Sequence, residues 1–305
     1  VRRKIVLSII IALIAVKFVY SYNPAHLKAL MARGLDNYWA SWRKKHPHIR
    51  PDLSHAVIND LSFGGDFSRV NFKYAKLIDC SIGGADFTGS DFSYSLIKKC
   101  YTIVHRLILE ASRRFTANRF YEAKIVESNF YGTNFINVSF NEAKLYKSNF
   151  DDCSFKKTSF IKAEIVDSTL TIAPVGNNHE FYFVDFSNSY IKKTMIFGRK
   201  FNYISFKNAK IIKCLFGFDQ SNAVNFTNAD LTGSTFLGCN LLNVNFTNAN
   251  LINTDFSDKP RYDKTTFKNV IFKNADMKGA KINRKWYNYI KRQGVRNFDK
   301  IIWVG

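Results

Sequence analysis

Residues 224–256, written in fives, read VNFTN ADLTG STFLG CNLLN VNFTN ANLIN TDF. The third residue of every group is Phe or Leu: Phe226, Leu231, Phe236, Leu241, Phe246, Leu251 and Phe256. The first is small or short (Val224, Ala229, Ser234, Cys239), and the second is mostly Asn or Asp, as at Asn225, Asp230, Asn240 and Asn250. A period of five matches neither the 3.6 of a helix nor the two of a long strand. Residues two apart do share one face of a strand. Each group therefore reads as a three-residue strand, small residue in, polar residue out, large residue in, followed by a corner that resets the phase. Asn and Asp suit such corners because their side chains hydrogen-bond nearby backbone. Coils built this way stack ~4.8 Å apart, joined by backbone hydrogen bonds.

The spacing extends over most of the chain. Large apolar residues recur every five positions from 67 to 97, from 115 to 170 (twelve in a row), from 181 to 216, from 226 to 256 and from 267 to 282. Residues 98–114 break the ladder as a short helix packed on the rod or a projecting loop, 171–180 (with Pro174 and Gly176) insert one extra residue, and 257–266 (with Pro260) read as another loop. Such loops are a frequent seat of function. Cys80, Cys100, Cys153, Cys214 and Cys239 all hold the small inward position and need no disulfide, metal or nucleophilic role.

These motifs, Ala229-Asp230-Leu231-Thr232-Gly233 above all, resemble the pentapeptide-repeat family, whose pattern is A-(D/N)-L-x-x. The match covers about residues 53–282, with Leu53, Ile58 and Phe63 as an out-of-phase opening. The resemblance implies an all-β solenoid: a right-handed quadrilateral β-helix with four pentads per coil. It would carry apolar and amphipathic helices at the N-terminus and a cap at the C-terminus.

Four segments follow. Residues 1–22 hold Arg2-Arg3-Lys4 and then an apolar run, residues 5–20. At ~1.5 Å per residue that run spans roughly 24 Å, short for a bilayer core of about 30 Å. A membrane anchor, a cleaved signal and a buried capping helix all fit it. The leading expectation is membrane association through this single N-terminal anchor, with the side of the membrane open. Val1 fits a bacterial reading frame with an alternative start codon and equally a truncated chain. Residues 23–52 read as an amphipathic helical cap or juxtamembrane region; Trp39, Trp42, Arg43, Lys44 and Lys45 combine aromatics with cations as interfacial helices do. Residues 53–282 form the solenoid. Residues 283–305, with Trp286, Tyr289, Trp303 and a basic cluster, form a C-terminal cap, which a stacked rod needs over its last coil.

The net charge of +21 is concentrated at the ends: ten basic and three acidic residues in 1–60, and thirteen and four in 258–305. An anionic partner, lipid included, would meet those ends. No phosphate-binding loop, nucleophile motif or metal-ligand spacing occurs, so no cofactor, metal or catalytic residue is expected and the chain is not expected to be an enzyme. Two candidate binding sites remain. His179, Arg199 and Asp219 lie 20 apart at an inward column that otherwise holds small residues. Buried charges must be paired, so an Arg199–Asp219 pair beside His179 would make a notch; a local bulge would instead turn all three outward. Val126, Tyr146 and Val166, also 20 apart, would form an outward apolar column, a common mark of contact surfaces.

The expected function is a non-catalytic, membrane-tethered scaffold presenting solenoid faces to a protein partner. Secreted effectors and nucleic-acid or anionic-surface binders are the alternatives. Some members of the resembled family shield gyrase by imitating duplex DNA, which needs an acidic surface that this basic chain lacks.

Overall fold

The computed structural model describes residues 22–31, 38–102, 114–171, 180–260 and 262–305. The chain winds into a parallel β-solenoid of about eleven turns. Strands of two or three residues dominate, and those of one face pair in register across successive coils. One sheet holds eight strands: Val57–Asn59, Lys76–Ile78, Leu96–Lys98, Lys124–Val126, Lys144–Tyr146, Glu164–Val166, Tyr190–Lys192 and Lys210–Ile212. A nine-stranded sheet, linked across corners by its two long strands Met195–Ser205 and Leu215–Asn225, spans the other sides, and columns of single bridges such as Asn129–Asn149–Thr169 extend it.

The pentad logic explains each strand. In residues 123–127, Ala123 and Ile125 are buried, Lys124 is exposed, Val126 half-exposed, and Glu127 turns the corner with φ 51°. Every fifth residue from 117 to 167 has such a positive φ. The left-handed conformation strains most side chains. It is offset here by inter-coil hydrogen bonds, such as Glu127 N–H to the Tyr146 carbonyl at 3.0 Å. Inside, ten phenylalanines (72, 92, 120, 140, 160, 186, 206, 226, 246 and 272) stack in one column with ring centroids 4.7–5.1 Å apart and near-parallel planes. That separation matches the strand spacing, so rings and backbone stack at the same pitch.

Helices lie at the N-terminal end, with one short helix at the other. Helix α1 (Pro24–Met31) and helix α2 (Tyr38–Lys45) cover the first coil, where the Trp39 ring stacks 4.6 Å from Phe67. At the far end, helix α3 (Tyr287–Lys291) precedes a strand, Ile302–Val304, that pairs with Lys281–Asn283. The Tyr289 hydroxyl donates to the Val270 carbonyl and accepts from its N–H, both at 2.9 Å, and the Trp286 ring lies on Phe267.

The expected membrane association is corrected. Among the described residues no helix is long and apolar enough to cross a membrane. Helices α1 and α2 have eight residues each, against about 20 for a span, and their apolar sides are used on the coil. The run at residues 5–20 lies outside the described residues.

Candidate functional site

Arg199 and Asp219 do come together, but outside the rod. Strands Met195–Ser205 and Leu215–Asn225 run straight through a corner, and neither Gly198 nor Phe218 has the positive φ found at other corners. Gly198 and Phe218 are therefore buried while Arg199 and Asp219 face solvent. Arg199 Nε lies 3.7 Å from an Asp219 carboxylate oxygen, with side chains 49% and 65% exposed. For Asp219 the cause sits two residues on. Ser221 occupies a place that Phe, Leu or Ile fills in other coils; its hydroxyl donates to the Asn240 carbonyl (3.1 Å) and accepts from Leu242 N–H (3.0 Å). The volume it leaves is taken by Phe218, whose ring centroid is 4.9 Å from that of Phe201. His179 lies outside the described residues.

The straight corners open a cleft of about 300 Å³ lined by Phe197, Arg199, Asp219, Leu237, Tyr262 and Asp263, with three glycines and Phe218. A Cβ on Gly217 would overlap the Phe197 ring, and one on Gly238 would lie 2.8 Å from the Asp263 carbonyl oxygen. Both glycines thus permit the close approaches that shape the cleft. One guanidinium and two carboxylates make it a mixed-charge recess.

The column Val126, Tyr146 and Val166 sits on neighbouring strands of the eight-stranded sheet, in register and half-exposed. The same sheet turns Lys76, Lys98, Lys124, Lys144, Lys192 and Lys210 outward. Burial, and then a hydrogen bond to Glu164, push the Tyr146 phenol up to about 12.

Arg43 differs from Lys44 and Lys45. The two lysines are exposed, whereas Arg43 is 5% exposed and bonds Asp66 at 2.8 Å and the carbonyls of Ile49 and Ser68 at 3.2 Å. It ties the helical cap to the first coil and is not open to an anionic surface. Burial raises the Cys153, Cys214 and Cys239 thiols, Cys214 to about 12, so these thiols stay protonated. Among the described residues no three His, Cys, Asp or Glu side chains are grouped to hold a metal ion.

A family model described as pentapeptide repeats matches in eight copies, over residues 66–100, 119–152 and 224–258. No curated protein matches the chain. Among solved structures, similarity extends to HetL, a pentapeptide repeat protein involved in heterocyst differentiation regulation from the cyanobacterium Nostoc sp. strain PCC 7120. It is 16% identical over 79% of this chain and 94% of that one, with a TM-score of 0.33. QnrB1, a plasmid-mediated fluoroquinolone resistance protein, is 14% identical over 78% of this chain and 100% of that one, with a TM-score of 0.35.

Proposed function

We propose that this chain, which belongs to the pentapeptide-repeat family, is a non-catalytic binding scaffold that offers one flat sheet face to a protein partner. The observation that carries the reading is the column of Val126, Tyr146 and Val166, half-exposed on three adjacent strands of a rigid sheet. An apolar strip held flat by backbone pairing loses little entropy on docking. The rest of the molecule supports a passive role. Its cysteines are absorbed by the core, and Arg199 and Asp219 engage each other in an open recess.

A photo-crosslinking residue in place of Tyr146, introduced in the cells that naturally make the protein, tests the reading. Discrete protein adducts are expected at that position and not at Asn202, which is half-buried on another side. Equal labelling at both positions, or none at Tyr146, Val126 and Val166 alike, would overturn it.

A further inference from the structure

We infer that the partner segment seated on the eight-stranded face is acidic, with apolar side chains set among its carboxylates; this rests on the face being a protein-docking surface, as proposed above. Six of the eight strands point one lysine and one apolar or aromatic residue outward: Lys76 with Ile78, Leu96 with Lys98, Lys124 with Val126, Lys144 with Tyr146, Tyr190 with Lys192, and Lys210 with Ile212. The single outward acid on the sheet is Glu164, in register beside Lys144 on the side away from Lys124, and its hydrogen bond with Tyr146 helps raise that phenol.

Two features of these lysines bear on a partner. First, none of the six makes an ion pair among the described residues, a state shared by off-sheet lysines such as Lys157, Lys200, Lys207 and Lys268, but these six stand together on one sheet. Second, Lys124 and Lys144 are direct in-register neighbours, and like charges facing each other across strands are destabilising. The solenoid gains nothing from that pairing, because its stability comes from the inward residues. A partner's carboxylates would relieve the repulsion. Eight strands at ~4.8 Å make a face roughly 34 Å long, enough for a long extended or helical segment.

Protein fits this pattern better than nucleic acid. The face is flat, has no arginine fork for phosphate, and interleaves its cations with Val, Ile and Leu rather than a run of stacking aromatics.

The test uses the full chain and a fluorescent synthetic peptide alternating glutamate with valine and leucine. A polyglutamate of equal charge and a DNA duplex of equal charge serve as comparison probes. The face variant carries Lys98→Glu, Lys124→Glu, Lys144→Glu and Lys192→Glu. The control carries Lys157→Glu, Lys200→Glu, Lys207→Glu and Lys268→Glu, all exposed and off this sheet. Face reversal is expected to weaken the alternating peptide at least about tenfold, the control less than about threefold, and added salt to weaken wild-type binding. The peptide should also bind more tightly than polyglutamate, a margin that V126S/Y146S/V166S removes. Four Lys→Gln changes on the face repeat the test should the reversal variant not fold. Equal loss in the face and control variants, or a duplex bound more tightly than the peptide through these lysines, would overturn the inference. Crosslinks at Tyr146 that survive face reversal would sink the acidic partner while leaving the docking face standing.

Discussion

Ala223 turns its corner with φ 55°, a conformation that alanine holds poorly, between Tyr203 and Asn243 in the same column of corners. One step over, Asn208, Asn228 and Asn248 hold the same conformation and link side chain to side chain at 3.1–3.2 Å. Asparagine bears a left-handed backbone at lower cost because its amide bonds locally. Ala223→Asn is therefore expected to stabilise the protein by about 1 kcal/mol, read as a raised thermal midpoint. At this scale the inward ladder is legible from sequence, because burial at the third place of each pentad depends on nothing distant. The fates of Arg199 and Asp219 are not. Asp219 is turned out because Ser221 is too small for its place and Phe218 turns inward to fill the gap; Arg199 stands out on the neighbouring coil, where Phe201 keeps its place and Gly198 is the buried partner of Phe218. A charged residue in a small-residue column, followed closely by a serine where an aromatic belongs, is the signal that marks it.

Among the elements, the N-terminal cap shows what a single guanidinium holds. Arg43 reads as an interfacial cation when its neighbours are Lys44 and Lys45, because its true partners, Asp66, Ile49 and Ser68, lie outside the helix. Arg43→Ala leaves two carbonyls without their donor and should cost about 1–3 kcal/mol, seen as early loss of helix α2 packing by Trp fluorescence. Desolvation raises the Asp66 carboxyl, but hydrogen bonds from Ser68 and the Arg43 charge outweigh it and hold the pKa below its usual value. A carboxylate with a lowered folded pKa contributes stability above its unfolded pKa and loses it as pH falls through the folded one. The cap should thus loosen as pH drops below about 4, and Asp66→Asn should flatten that dependence. A cap whose pH dependence is unchanged in Asp66→Asn would refute that role.

For the whole molecule, charge counted along the chain misleads. Residues 115–180 carry seven basic and eight acidic side chains, yet folding sends Lys124 and Lys144 to one face and Glu122, Glu127 and Glu142 to neighbouring positions off it. Sequence periodicity sets Lys124 and Lys144, 20 apart, in one column; that Lys98 and Lys192 share their side shows only once the longer turns are stacked. The rod also depends on closed ends. Trp286, Tyr289 and the strand Ile302–Val304 cover Phe267, Val270 and Ile282. Removing residues 284–305 should expose that coil and produce larger assemblies by light scattering, since a bare stack is a template for further strands. A monodisperse truncated chain would refute the closing role.

The coil offsets carry one more consequence. Ile97 pairs with Ile125, Phe155 with Phe181 and Leu241 with Phe267, so the longer turns still bring the strand back to its own side. Lengthening the chain by one full circuit would push the two ends apart without rotating either. Adding a lone quintet would swing everything downstream through a right angle, like a combination dial moved one notch, and divide the lysines between adjacent walls.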